Sequence, residues 1–164
     1  MRRAALLLFF CLVSAAPGLA QARPPKTPVV VELFTAQGCA TCGKANALVA
    51  SLADRPGVVA LTWSVDYWDY TGWKDTFAKP EFGDRQRAYE RRFGLRDVYT
   101  PQVVVGGSAE GTGAKRATVE ALIQKWRRPL HPPTIRIARG RVSVGAARAP
   151  GSADVWLIRY DPRE

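Results

Sequence analysis

Residues 29–46 read VVVELFTAQGCATCGKAN. Val29 to Phe34 form an apolar run rich in β-branched residues, the pattern of a buried strand. Beyond Cys39 the period changes. Ala45, Leu48, Val49 and Leu52 recur at helical spacing, which predicts a helix over 39–52. Asp54-Arg55-Pro56-Gly57 ends it, and Val58 to Val65 (VVALTWSV) reads as a second strand. A β-α-β unit of this kind implies parallel strands and a right-handed crossover. Cys39 and Cys42 sit where the first strand hands over to the helix.

Working outward, Asp66 to Asp75 (DYWDYTGWKD) is an aromatic-rich loop. Pro80 to Phe93 predicts a helix with Phe82, Tyr89 and Phe93 inward. Arg85, Arg87, Arg91 and Arg92 are expected on its solvated face. Tyr99-Thr100-Pro101-Gln102 leads into a third strand, Val103 to Val105. After the Gly106-Gly107 turn, a short fourth strand is expected near Ser108 to Gly111. Ala114 to Arg127 is an amphipathic helix with Val119, Leu122, Ile123 and Trp126 on one face. Beyond the Pro-rich stretch around His131, Thr134–Ala138 and Arg141–Gly145 alternate about Arg139-Gly140, which predicts a hairpin. Asp154 to Tyr160 (DVWLIRY) reads as one more strand. A β appendage of two or three strands is marginal alone and has to pack on something.

The start of the chain indicates a compartment. Met1-Arg2-Arg3, an apolar stretch from Ala4 to Ala16, and Ala20-Gln21-Ala22 have the layout of a cleaved secretory signal. The stretch is shorter than the roughly 20 residues of a membrane span. The expected division is a signal at 1–22, a Pro-rich leader at 23–28, a main domain at 29–128 and a β appendage at 129–164. Removing the signal leaves roughly 140 residues, a one-domain length able to bury about two-thirds of its unfolded surface. It also removes Cys11, so Cys39 and Cys42 remain as the cysteines of the exported form, in a compartment where disulfides persist. The formal charge of the whole chain is +10. Export and the lack of a nucleic-acid-binding motif argue for a solvated basic surface rather than a nucleic-acid partner.

A Cys-x-x-Cys at a helix start places both sulfurs about one turn apart. Free N–H groups and the helix dipole favour a thiolate on the first cysteine, which is the nucleophile of disulfide exchange. The second, one turn in, resolves the mixed disulfide. Two other readings stay open. A two-thiolate copper(I) site suits soft sulfur ligands, whereas a four-ligand zinc site lacks partners, His131 reading as a linker residue. A static disulfide around so small a loop gains little from loop closure.

Strand, C-x-x-C, helix, strand, helix, then Thr-Pro before a strand pair and a last helix resembles the thioredoxin fold: β-α-β followed by α-β-β-α. In that fold a cis-proline precedes the third strand and faces the cysteines, and Thr100-Pro101 stands in that place. VVVELFTAQGC, VDYWDYTGWKD, RQRAY and VYTPQVVVGG resemble, more narrowly, exported bacterial proteins of the thioredoxin-like family called domain of unknown function 1223. The similarity runs from about Val29 to Tyr160. It implies fold and export but names no substrate. Gly43-Lys44 stands where that family has prolines, and Ser64 where it often has histidine. Its members tend to continue further, so the appendage here is expected to be truncated.

The resemblance also implies an acid beneath the cysteine pair. Glu32, in the first strand, is similarly placed, and a buried carboxylate can relay a proton from Cys42; a satisfied core acid is the other reading. Asp66, Trp68, Asp69 and Trp73 follow the second strand, near where α/β sheets gather ligands. Either the aromatics grip a peptide partner, or Tyr67, Trp68, Tyr70 and Trp73 cap the core while Asp66 and Asp69 hold turns. The leading expectation is an exported thiol–disulfide oxidoreductase, periplasmic or secreted. Cys39 attacks, Cys42 resolves, and Thr100 and Pro101 shape the partner surface. The dithiol itself carries two electrons, so no separate cofactor is required. The expected partners are protein thiols or disulfides and a redox partner protein. The alternatives are a non-catalytic binding module with a structural disulfide and a copper(I)-handling protein.

Overall fold

The computed structural model describes residues 27–126, 133–146 and 155–161. The predicted signal, His131 and most of the leader lie outside them. The elements run β1 (Val29–Thr35), α1 (Cys42–Ala50), β2 (Val58–Ser64), a short 3-10 turn (Asp69–Thr71), α2 (Pro80–Phe93), β3 (Gln102–Val105), β4 (Ala109–Thr112), α3 (Arg116–Lys125), β5 (Ile135–Ala138) and β6 (Arg141–Val144).

The sheet order is β2-β1-β3-β4. β1 and β2 are parallel, with Val29 opposite Val58 and Thr35 opposite Ser64. β3 runs antiparallel to β1, and β4 antiparallel to β3. This is the thioredoxin-like arrangement that the sequence predicts, and it explains the apolar run in β1. A central strand covered on both faces has no solvent side to make polar.

The two faces differ. Val31 and Leu33 of β1 join Val103 and Val105 of β3, Ala45, Leu48 and Val49 of α1, and Val119 of α3 in an aliphatic cluster. Leu122, Ile123 and Trp126 pack on it as expected. Phe34, Leu61, Trp63, Val65 and Val104 form the other face, with Phe82, Tyr89 and Phe93 of α2 and both cysteines. Glu32 faces this second layer.

The ends of α2 follow from its sequence. Pro80 occupies the first turn, where a missing N–H costs nothing. Gly94 takes the left-handed conformation (φ 64°), and Leu95 N–H returns to the Glu90 carbonyl. α1 starts at Cys42, three residues later than expected, because Cys39–Thr41 form a turn ahead of the helix. The fourth strand is shifted by one residue and α3 is shorter than its apolar period.

Two expectations are corrected. Arg85 is not on the solvated face of α2: it turns inward to Glu32, while Arg87, Arg91 and Arg92 are exposed. Residues 155–160 form no strand, although Ile158 packs on the aromatic face. The predicted hairpin is present. Arg139 (φ 48°) and Gly140 (φ 73°) make the two-residue turn whose twist suits a hairpin. Ile135 pairs with Val144 and Ile137 with Val142, giving one exposed apolar face. Among the described residues no helix is long and apolar enough to cross a membrane.

Candidate redox site

Three chain segments converge at one end of the sheet. The register places Thr35 beside Ser64 and Phe34 beside Gln102. The exit of β1, the exit of β2 and the entry to β3 are therefore neighbours. The first carries the cysteines, the second the aromatic loop, the third Thr100-Pro101.

Cys39 and Cys42 are joined in a disulfide with Cα atoms 5.4 Å apart. Cys39 is 5% exposed and Cys42 1%, so the first is the more accessible of the pair. Thr41 lies between them with its Oγ1 3.7 Å from the Cys39 sulfur, where its hydroxyl donates a weak hydrogen bond. The Thr100–Pro101 peptide is cis, as the resemblance implies.

The aromatic loop is fastened to the cysteine segment by polar bonds. Asp75 is buried, and its two carboxylate oxygens accept from the Gln37 N–H (2.6 Å) and the Phe77 N–H (2.9 Å). Asp69 accepts from the Asp75 N–H at 3.0 Å. The Trp73 indole donates to the Gln37 side chain at 2.7 Å. Trp68 donates to Thr100 Oγ1 at 2.8 Å, tying the loop to the proline edge as well. A side chain on Gly38 would come within 3.1 Å of Thr71 Oγ1 and 3.4 Å of Trp68, so glycine allows the loop to close on the backbone beside Cys39. Asp66 instead lies against Gly83 of α2.

The profile of the family described as protein of unknown function (DUF1223) matches residues 30–164. The chain belongs to this family. A crystal structure of a protein from Agrobacterium tumefaciens is 35% identical, with a TM-score of 0.59, over 71% of this chain and 54% of its own. This chain thus spans about half the length of that relative. A Malassezia sympodialis thioredoxin matches at 20% identity and a TM-score of 0.38, over 61% of this chain and 79% of its own. A search of curated proteins gave no match.

In this DUF1223 protein Glu32 belongs to a polar cluster of its own. Its carboxylate accepts from Arg85 Nε (2.6 Å) and Nη2 (3.0 Å), Trp63 Nε1 (2.9 Å) and Tyr89 OH (2.6 Å). Those four donors take the roughly four acceptor positions a carboxylate offers, which fits the satisfied core acid better than a proton relay. Burial lowers the Arg85 pKa, but Glu32's hydrogen bonds and charge outweigh it, so the net shift is upward. Burial also pushes the Tyr89 hydroxyl up, and Glu32 adds to the rise. The Arg85 guanidinium stacks near Trp63, Tyr89 and Trp156, with ring centroids at 5.3, 5.4 and 5.4 Å.

A second buried chain of hydrogen bonds joins α2 to the sheet. Tyr67 donates to Gln86, Gln86 to Gln102 and to the Tyr99 carbonyl, and Gln102 to Glu110. Burial pushes Tyr67 up to about 12, although its hydrogen bonds with Gln86 and Thr100 oppose the rise. Tyr99 is raised by burial and by Glu110.

Sequence reasoning missed Asp75, Gln37 and Arg85. Asp75 was visible only as the end of a loop, and Gln37 as a neutral residue before a turn. Arg85 shares its helix with three exposed arginines, so period alone could not single it out. Among the described residues no group of three or more His, Cys, Asp or Glu side chains is placed to hold a metal ion.

Proposed function

We propose that this DUF1223 protein is an exported thiol–disulfide oxidoreductase working through Cys39 and Cys42. The observation that carries the reading is the disulfide at the strand-to-helix joint, more accessible at Cys39, at the sheet end where the cis Thr100–Pro101 bond lies. In the reduced protein the Cys39 thiolate attacks one sulfur of a substrate disulfide and displaces the other as a thiolate. The Cys42 thiolate then attacks Cys39 Sγ, re-forms the internal disulfide and releases the second substrate thiolate. Two electrons pass from the dithiol to the substrate, and the reverse sequence oxidises a substrate dithiol. The first turn of α1 and the Thr41 hydroxyl favour negative charge near the pair.

The test is the reduction potential, set in glutathione buffers with trapping of free thiols. Structural disulfides lie below about −300 mV, and thioredoxin is near −270 mV. A value clearly above that structural range, with one rapidly alkylated thiol that Cys39→Ser abolishes, supports exchange. A very low value with no reactive thiol removes the reading. Export is tested separately: the secreted form should begin after Ala22.

A further inference from the structure

Within residues 27–126 the exposed large hydrophobic side chains are Tyr70 (84% exposed), Trp73 (60%) and Phe77 (60%). All three lie on the segment fastened to Gln37, two residues before Cys39. Their exposure is not that of a loose loop. Asp75 accepts from the backbone on both sides of the gap, at Gln37 and at Phe77. Asp69 holds Asp75, the Trp73 indole is bonded to Gln37, and Tyr70 stacks on Trp68 with ring centroids 6.5 Å apart. Trp68 in turn is bonded to Thr100 beside the cis-proline.

We propose that Tyr70, Trp73 and Phe77 form a preorganised platform for an extended polypeptide that presents its disulfide or thiol beside apolar side chains. This deepens the redox reading and rests on it: it names the substrate class of the same site. Aromatic rings held by a rigid frame give large contact area at little ordering cost. They lie on the loop bonded to Gln37, two residues before Cys39, so a chain that engages them is held beside the cysteine segment. A small disulfide has nothing to place on the rings and gains nothing from them. Trp73 both grips and holds, but Phe77 only grips. Phe77 contributes its ring to the surface and only its backbone N–H to the Asp75 clamp, so its side chain can be removed with the clamp intact.

The test compares two synthetic peptides, each closed by one disulfide and identical except that leucine and phenylalanine flank the cysteines in one and serine in the other. The second-order rate constants of the reduced full-length protein are measured with both. The expected result is a preference of about tenfold for the apolar peptide, the scale of one good aromatic anchor, which falls close to one in Phe77→Ala. Equal rates with both peptides, or an unchanged preference in Phe77→Ala, overturns the proposal. If the native protein reduces neither peptide, the redox reading has failed, and equilibrium binding decides the surface alone. The apolar peptide with serines in place of its cysteines should then quench tryptophan fluorescence, more weakly in Phe77→Ala. No quenching in the native protein overturns the platform too.

Discussion

The two faces of the sheet solve different problems with the same strand. Toward α1 and α3, β1 presents Val31 and Leu33 to an aliphatic layer. Toward α2 it presents Glu32 and Phe34 to aromatic rings, an arginine, two buried glutamines and the disulfide. The first face is held mainly by burial, which is tolerant of detail, with the Thr35 hydroxyl bonded to Asn46 of α1 and Arg55 to Glu120 of α3. The second is held by directional bonds in a low-dielectric layer, where each member depends on its partner. Among the described residues every buried side-chain nitrogen and oxygen has a hydrogen-bond partner. The polar face is therefore a finished network, and loss of one member leaves another unsatisfied.

The largest effect should come from breaking the ion pair on one side only. Glu32→Ala leaves Arg85 charged and inward, at a cost of about 3–5 kcal/mol. Urea unfolding measures it. Replacing both residues together, Glu32→Leu with Arg85→Met, should recover most of that loss. If the single and double variants are equally destabilised, the face is held by shape rather than by pairing. On the aliphatic face Leu33→Ala should cost about 3 kcal/mol from lost burial and the cavity left behind, with no partner able to restore it.

Next comes the clamp between the aromatic loop and the cysteines. Asp75→Ala leaves the Gln37 and Phe77 N–H groups without their acceptor, a loss of about 1–3 kcal/mol. Asp75→Asn keeps an acceptor for one of them and should fall between. The same variants should alter the exchange rate of the disulfide, because Gln37 leads directly into Gly38 and Cys39. A stability loss with unchanged exchange would separate the loop from the site.

Alkaline titration sharpens the contrast without mutation. Tyr67, Tyr89 and Tyr99 border the polar face, and burial raises all three. An unfolded tyrosine loses its proton near pH 10, while native Tyr67 keeps it to about 12. Between those values the native state binds more protons than the unfolded one, so stability is present below pH 10 and is lost as pH rises through the window. Tyr67→Phe should make that decline shallower, as read from unfolding midpoints at successive pH values.

The same contrast explains what the sequence made legible. The strands β1 to β6 and α2 could be read because apolar period and Pro/Gly punctuation are local signals, though the same alternation misled at 155–160. Cys39, Cys42 and Thr100-Pro101 could be placed together because the thioredoxin-like resemblance implies a proline there facing the cysteine pair. Arg85 could not be placed, since four arginines in one helix look alike until one meets Glu32, fifty-three positions away. Asp75 was hidden for a related reason: its partner is a backbone N–H, and backbone donors carry no mark in a sequence. The aromatic loop was read as either core or grip. Tyr67 and Trp68 pack on the core, while Tyr70 and Trp73 are exposed.

The smallest expected effect lies where the polar face meets the segment 155–161. The sequence alternates as a strand does, but the segment pairs with no ladder. Val30, Val59, Leu61, Ile158 and Tyr160 instead line a groove of about 380 Å³ together with Glu32 and Arg85. Ile158 supplies apolar contact, and Trp156 adds its ring over Arg85, although the residue is 63% exposed. An exposed cation–π contact is worth about 0.5–1 kcal/mol, so Trp156→Ala should lower stability by no more than that. In a Glu32→Ala background the ring becomes one of the few favourable contacts left to the uncompensated guanidinium, and the cost of Trp156→Ala should grow. A double-mutant cycle reads the coupling directly. Strict additivity would mean that Trp156 takes no part in the charge network.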